Sequence, residues 1–142
     1  MNSSVPESQL RVERLLNPLP VEFEAAGLVF KEKVAKKALF GRTYVNYYFV
    51  NPVAKTELKI YVGDNGIVNV SVFREDEKDG YFSLCEYLKC HHRQDESSML
   101  FDRRHDIEFS IAYLRKIVAR EWGEILRGER WESIPYDWQE YG

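Results

Sequence analysis

Residues 85–96 read CEYLKCHHRQDE, with two cysteines and two histidines inside eight positions. With His105 in FDRRHDIE (101–108), these are the side chains whose types could do chemistry. One possibility is a metal centre built from Cys90, His91 or His92, and His105. A second is a thiolate with an imidazole base. A third is His105 as a general base oriented by Asp102 or Asp106. Each needs a specific placement. On an intact helix Cys85 and Cys90 lie about 140° apart around the axis, so they cannot share one ion. A zinc site also needs a second ligand pair, and the chain has no further cysteine and only the three histidines. A nucleophilic cysteine needs a lowered pKa, often from a helix N-terminus. The pattern puts Cys85 mid-helix between Leu84 and Leu88, as a small buried hydrophobe. It puts Cys90, His91, His92 and Arg93 at the C-terminal end, where cationic groups suit the helix dipole. No G-x-S-x-G, P-loop, H-E-x-x-H or glycine-rich phosphate loop occurs. The residues therefore favour a non-catalytic protein without metal or cofactor. A metal- or His/Cys-dependent enzyme centred on residues 90–105 is the alternative.

The elements that must position these groups follow from periodicity. Ser4 and Glu7 form an S-x-x-E capping box before an apolar face of Leu10, Val12, Leu15 and Leu16; Pro18 and Pro20 end that helix. A short helical turn, VEFEAA, is closed by Gly27. The period then changes to two, predicting strands over 28–35, 42–50, 56–62 and 67–73. The last two flank GDNG, a hairpin signal. Helical spacing returns over 81–90, with Tyr81, Leu84, Cys85 and Leu88 on one stripe, and a polar loop is expected at 92–104. Asp106 caps a long final helix whose face is Ile107, Ile111, Leu114, Val118, Trp122 and Ile125, with Gly128 beyond its end. The expected fold is one α+β domain over 1–142. It has an antiparallel meander of about four strands, with N- and C-terminal helices packed on one face. Residues 1–19 supply the first helix and a proline-containing linker, and 129–142 an aromatic, acidic tail.

The totals narrow the function classes. The chain has 142 residues, 44% hydrophobic, 30% charged and 14% aromatic, enough for a full core without disulfides or metal. No run approaches the length of a membrane span. The opening MNSSVPESQL lacks the basic and apolar regions of a signal peptide, so a cytoplasmic location is expected. The net charge of −3 is unevenly spread. Residues 1–70 hold nine Lys/Arg against seven Asp/Glu, and residues 71–142 eleven against sixteen. An acidic chain is a poor general ligand for nucleic acid. The exception would be Lys31, Lys33, Lys36, Lys37 and Arg42 beside Tyr44, Tyr47 and Tyr48, a basic first strand that could stack single-stranded bases. Adjacent tyrosines face opposite sides of a strand, so only part of that set can share a surface. Lysines also protect exposed strand edges.

Two acidic segments fit a protein partner. In EDEKD, Glu75, Asp76, Glu77 and Asp79 surround one lysine and could steer a basic surface. In the tail, Tyr136, Trp138 and Tyr141 are anchor-type aromatics beside Asp137 and Glu140. Trp131 is expected to fold back on the core. The helical N-terminus, the meander with its GDNG hairpin, the helix YFSLCEYL and the final helix ending WGEILRGERW resemble small bacterial immunity proteins over residues 20–132. Those are cytoplasmic inhibitors of polymorphic or contact-dependent toxins. The resemblance implies a non-catalytic protein that binds one toxin domain, often a basic nuclease, and blocks it sterically. It assigns no binding residues. A homodimer through an exposed edge strand is a further expectation.

Overall fold

A computed structural model describes residues 6–37, 39–77 and 80–134. Six α-helices and five strands follow one another in these segments. They are α1 (Glu7–Leu16), α2 (Val21–Ala25), β1 (Val29–Lys37), β2 (Thr43–Asn51), β3 (Thr56–Gly63), β4 (Val68–Arg74), β5 (Tyr81–Ser83), α3 (Leu84–Cys90), α4 (Gln94–Asp102), α5 (Ile107–Ile117) and α6 (Gly123–Leu126). The strands form one antiparallel sheet in the order β1-β2-β3-β4-β5. The meander thus has five strands, one more than the periodicity suggests. The capping-box serine Ser4 lies outside the described residues. The described helix start is Pro6, which makes no side-chain cap.

Period-two alternation sets the core. Val45, Tyr47 and Phe49 of β2, Leu58, Ile60 and Val62 of β3, Val70 and Val72 of β4, and Phe82 of β5 all point to one face and are buried. They meet Val12 and Leu16 of α1, Phe23 of α2, and the stripe Ile107, Ile111, Leu114, Val118, Trp122 and Ile125. Asp106 caps α5 by accepting a hydrogen bond from the Phe109 amide. The final helix is not regular throughout. Val118–Trp122 is one wider π turn joining α5 to α6, and it still buries Val118 and Trp122 completely enough to keep the stripe intact.

Two local expectations change. Tyr81 is not on a helix: Tyr81–Ser83 pairs with Ser71–Phe73 as a fifth strand. The helix starts at Leu84 because Ser83 and Glu86 form a capping box, an S-x-x-E pattern starting two residues later than the expected helix. The inward stripe becomes Leu84, Tyr87 and Leu88, and Cys85 turns outward, exposed, with its sulfur 3.4 Å from Ser97 Oγ. The expected polar loop over 92–104 contains α4. Its sequence, QDESSMLFD, has no glycine or proline to break a helix, and only Leu100 packs against the core. Its remaining polar surface hides the helical period.

Asn51 joins the layers. Its side-chain amide donates to the carbonyls of Ala26 at 3.2 Å and Leu126 at 3.1 Å, and its Oδ1 accepts from the amides of Val53 and Ala54. Thr56 donates its hydroxyl to the same Leu126 carbonyl. The ends of α2 and α6 and the β2–β3 turn therefore meet on one side chain. Gly27, at φ +78°, must lack a Cβ, which would lie 2.5 Å from the Asn51 amide nitrogen. Asn51→Ala leaves two buried carbonyls without this donor and should cost about 3 kcal/mol. Urea unfolding measures it; a loss well under 1 kcal/mol would show that water replaces the amide.

Candidate protein-binding face and the groups around it

The residues out of phase with the core form the other face of the sheet. Cross-strand register arranges them in rows. One runs Val34–Asn46–Tyr61–Asn69, the next Glu32–Tyr48–Lys59–Ser71–Ser83, and the margin Val29–Val50–Glu57–Phe73–Tyr81. Tyr44 lies beside the first row, its ring 5.1 Å from that of Tyr61. Lys59 Nζ lies over the Tyr81 ring at 5.7 Å, and the Tyr81 hydroxyl shares a 2.9 Å hydrogen bond with Ser71. The face thus carries aromatic rings held by their neighbours. Phe73 and Tyr81 are 40% and 47% exposed. Its charges, Glu32, Lys36, Glu57 and Lys59, alternate in sign.

Asn46 sits within this face, only 8% exposed, and its Oδ1 has no hydrogen-bond partner among the described residues. The atom is shut off from solvent, and its neighbours on the face are Val34, Tyr44, Tyr48 and Tyr61. Such an orphan acceptor costs about 1–3 kcal/mol, and an N–H or O–H group that displaced the side chains covering it would relieve it.

The acidic turn is continuous with the margin. Glu75, Asp76 and Glu77 follow β4 directly, beyond Phe73, which faces Tyr81 across the β4–β5 pair. Part of their charge is internally satisfied: Arg74 reaches Asp76 at 3.1 Å and Glu77 at 3.5 Å. Glu75 has no ion-pair partner among the described residues. Asp79 and the tail residues Tyr136, Asp137, Trp138, Glu140 and Tyr141 lie outside the described residues. Trp131 packs against Phe82, ring centres 5.4 Å apart, as a cover on the core.

The cysteine and histidine set is dispersed. His91 Nε2 meets Glu132 at 2.8 Å and its ring stacks on Tyr87, while His105 Nδ1 meets the Asn65 carbonyl at 3.1 Å across the hairpin turn. Cys90 and His92 are exposed, and among the described residues no group of three or more His, Cys, Asp or Glu side chains is placed to hold a metal. Arg93 does not serve the end of α3. Its guanidinium grips Glu96 with two 2.8 Å bonds and also donates to Glu121 on the π turn. Tyr113 donates to Glu96, and Tyr87 to Glu121 at 2.8 Å. The cluster borders an open groove of about 650 Å³ whose floor includes Phe109, Ala112 and Ile117. Burial, then the bonds to the carboxylates, pushes both tyrosines up. The bonds from Arg93 and Tyr113 draw Glu96 down from 4.5 to about 2. Every member already has partners, so the cluster reads as a clamp among α3, α4, α5 and the π turn.

No known protein family, curated protein or solved structure matches the chain. No described helix is long and apolar enough to cross a membrane. The strongest surface, the open sheet face, follows from alternation already visible in the sequence. Tyr44 and Tyr48 are out of phase with Val45, Tyr47 and Phe49, and Tyr61 with Ile60 and Val62. Placing Tyr81 in a helix hid the end of the margin.

The clamp has a pH signature. Glu96 has a depressed folded-state pKa, so its contribution is present above its usual value of 4.5 and is lost as pH falls toward 2. Glu96→Gln should flatten the acid limb of the stability profile in that window, measured by urea midpoints against pH. An unchanged acid limb would show that the Glu96 contacts are screened away.

Proposed function

We propose that this protein is a non-catalytic, protein-binding module of the cytoplasm, an immunity-type inhibitor that occludes a cognate bacterial toxin domain. The observation that carries the reading is the open sheet face, where Tyr44, Tyr48 and Tyr61 neighbour the buried acceptor of Asn46, unpaired among the described residues. Aromatic anchors around a dry polar spot are what a tight protein interface uses. Glu75, Asp76 and Glu77 at its corner favour a partner with basic groups opposite them, speeding encounter more than adding affinity. Inhibition would be steric: the sheet covers the toxin's active site or its substrate path.

A nucleic-acid role for the same aromatics has less support. The β1 lysines share the open face only through Lys36, and Glu32 and Glu57 interrupt any phosphate track. Stacking without cationic neutralisation gives little affinity.

The test pairs captured partner with function. A partner held by the tagged protein is expressed alone, where it should be toxic, and with the protein, where growth should recover. Tyr61→Ala should weaken the complex by about thirtyfold, the size of an anchor loss. Glu75→Arg should slow association and reduce its salt dependence while leaving dissociation nearly unchanged. A partner that is harmless alone, or Tyr61→Ala and Glu75→Arg variants that protect and bind like the parent, would overturn the reading.

A further inference from the structure

A second surface lies along the free edge of β1. This strand has nine residues, pairs among the described residues only with β2, and is exposed along nearly its whole length. Its outer backbone groups therefore have no described strand beside them. Lys31, Lys33, Lys36 and Lys37 set the charge, against a single Glu32. Lys33 is engaged by Glu13 at 2.6 Å, while the other three have no carboxylate partner among the described residues. At the N-terminal end the character changes. Val29 and Phe30 are 51% and 54% exposed. Phe30 borders a groove of about 530 Å³ between α1 and the inner face of β1 and β2, lined also by Leu16, Leu19 and Phe49.

We propose that the β1 edge receives an extended acidic segment of a partner protein as a sixth strand. Acidic side chains would lie along the lysines and a terminal apolar side chain would enter the groove beside Phe30. The proposal shares with the functional reading only that the occupant is polypeptide. Main-chain hydrogen bonds of an added strand give affinity without sequence preference, so alternate side chains must give specificity. Lysines guard an edge against neutral and basic strands, and by the same charge they select an acidic one. A second copy fits poorly. Two β1 strands in antiparallel register would bring eight lysines against two glutamates to one seam, and the register centred on Lys33 faces that residue with itself. Antiparallel addition fixes the order in the partner: acidic residues first, the apolar residue last.

The experiment uses the isolated full chain and synthetic nine-residue peptides, so it does not depend on any toxin. The first peptide has Glu at its first eight positions, so that carboxylates reach the lysines on both faces of β1, and ends in Phe. Its partners are a version with Lys for Glu, and two versions carrying backbone N-methyl groups at odd or at even positions. Binding is followed by fluorescence anisotropy at low and moderate salt. The acidic peptide should bind, weakening as salt rises. The lysine peptide should not bind. One N-methylated version should bind like the parent peptide and the other should fail, because only one set of amides faces β1. Lys31→Glu with Lys36→Glu should lower affinity by about tenfold or more. The idea is sunk by an acidic peptide that fails to bind at millimolar concentration in low salt. It is sunk equally by two methylated peptides that bind alike, which would mean charge attraction without strand pairing. A concentration-dependent dimer of the parent chain that tightens with Lys31→Glu and Lys36→Glu, which relieve the repulsion at a β1–β1 seam, would name the second copy as the occupant instead. None of these outcomes alters the toxin-neutralisation result.

Discussion

The arrangement depends on one buried amide. Asn51 is the last residue of β2, and its side chain holds the ends of α2 and α6 and the turn into β3 at once. Helix ends leave carbonyls without partners, and in a core those need a donor. A single asparagine supplies donors to two such ends and acceptors to the turn. The helices are thereby fixed to the face carrying Phe49 and Leu58, and the opposite face stays open. Gly27 allows this approach, since any side chain there would collide with the amide.

The rest of the molecule separates into parts that hold and parts that offer. The Arg93 cluster holds. Its two carboxylates, two tyrosines and guanidinium satisfy one another, and the wider turn at Val118–Trp122 brings Glu121 within reach of both Arg93 and Tyr87. A π turn next to a groove often marks a functional site, but here it accompanies closed hydrogen bonding. The sheet offers. Among the described residues, its open face keeps an unpaired acceptor beside tyrosines, and β1 keeps an unpaired edge carrying Lys31, Lys36 and Lys37 without carboxylate partners. An exposed backbone edge is the better pointer to a partner, because a partner can pair it.

Much of the fold was legible because alternation is a strong signal when one face is buried. Leu58, Ile60 and Val62 against Val68, Val70 and Val72 set the hairpin, and Ile107 to Ile125 set the last helix. The misplacements have a shared cause. Tyr81–Ser83 is too short for a period to register, so Tyr81 and Cys85 fit a helical stripe by spacing although the helix starts only at Leu84. The helix at Gln94–Asp102 has a single inward residue, Leu100, and reads as polar loop. The acidic turn was visible as a charge run, but its neighbours on the face, Phe73 and Tyr81, became neighbours only through the β4–β5 pairing. The pairing of His91 with Glu132 rests on contacts more than forty residues apart, which no local pattern encodes.

The lysine edge and the acidic turn lie at opposite margins of one sheet. Four inter-strand spacings separate β1 from β5, roughly 19 Å. A standard interface covers about 800 Å² on each partner, a patch broad enough to span that distance. One partner could then meet the lysine edge, the aromatic rows and the acidic turn together. The surface it must match is ordered: positive at β1, near neutral across Tyr44, Tyr48 and Tyr61, negative at Glu75–Glu77. A partner rotated by half a turn would place like charges together at both margins. Each mismatch would repel over roughly a Debye length, about 8–10 Å at physiological salt. The charge separation between the halves of the chain, folded onto the two edges of the sheet, therefore supplies orientation, and the aromatic rows between them supply the contact area.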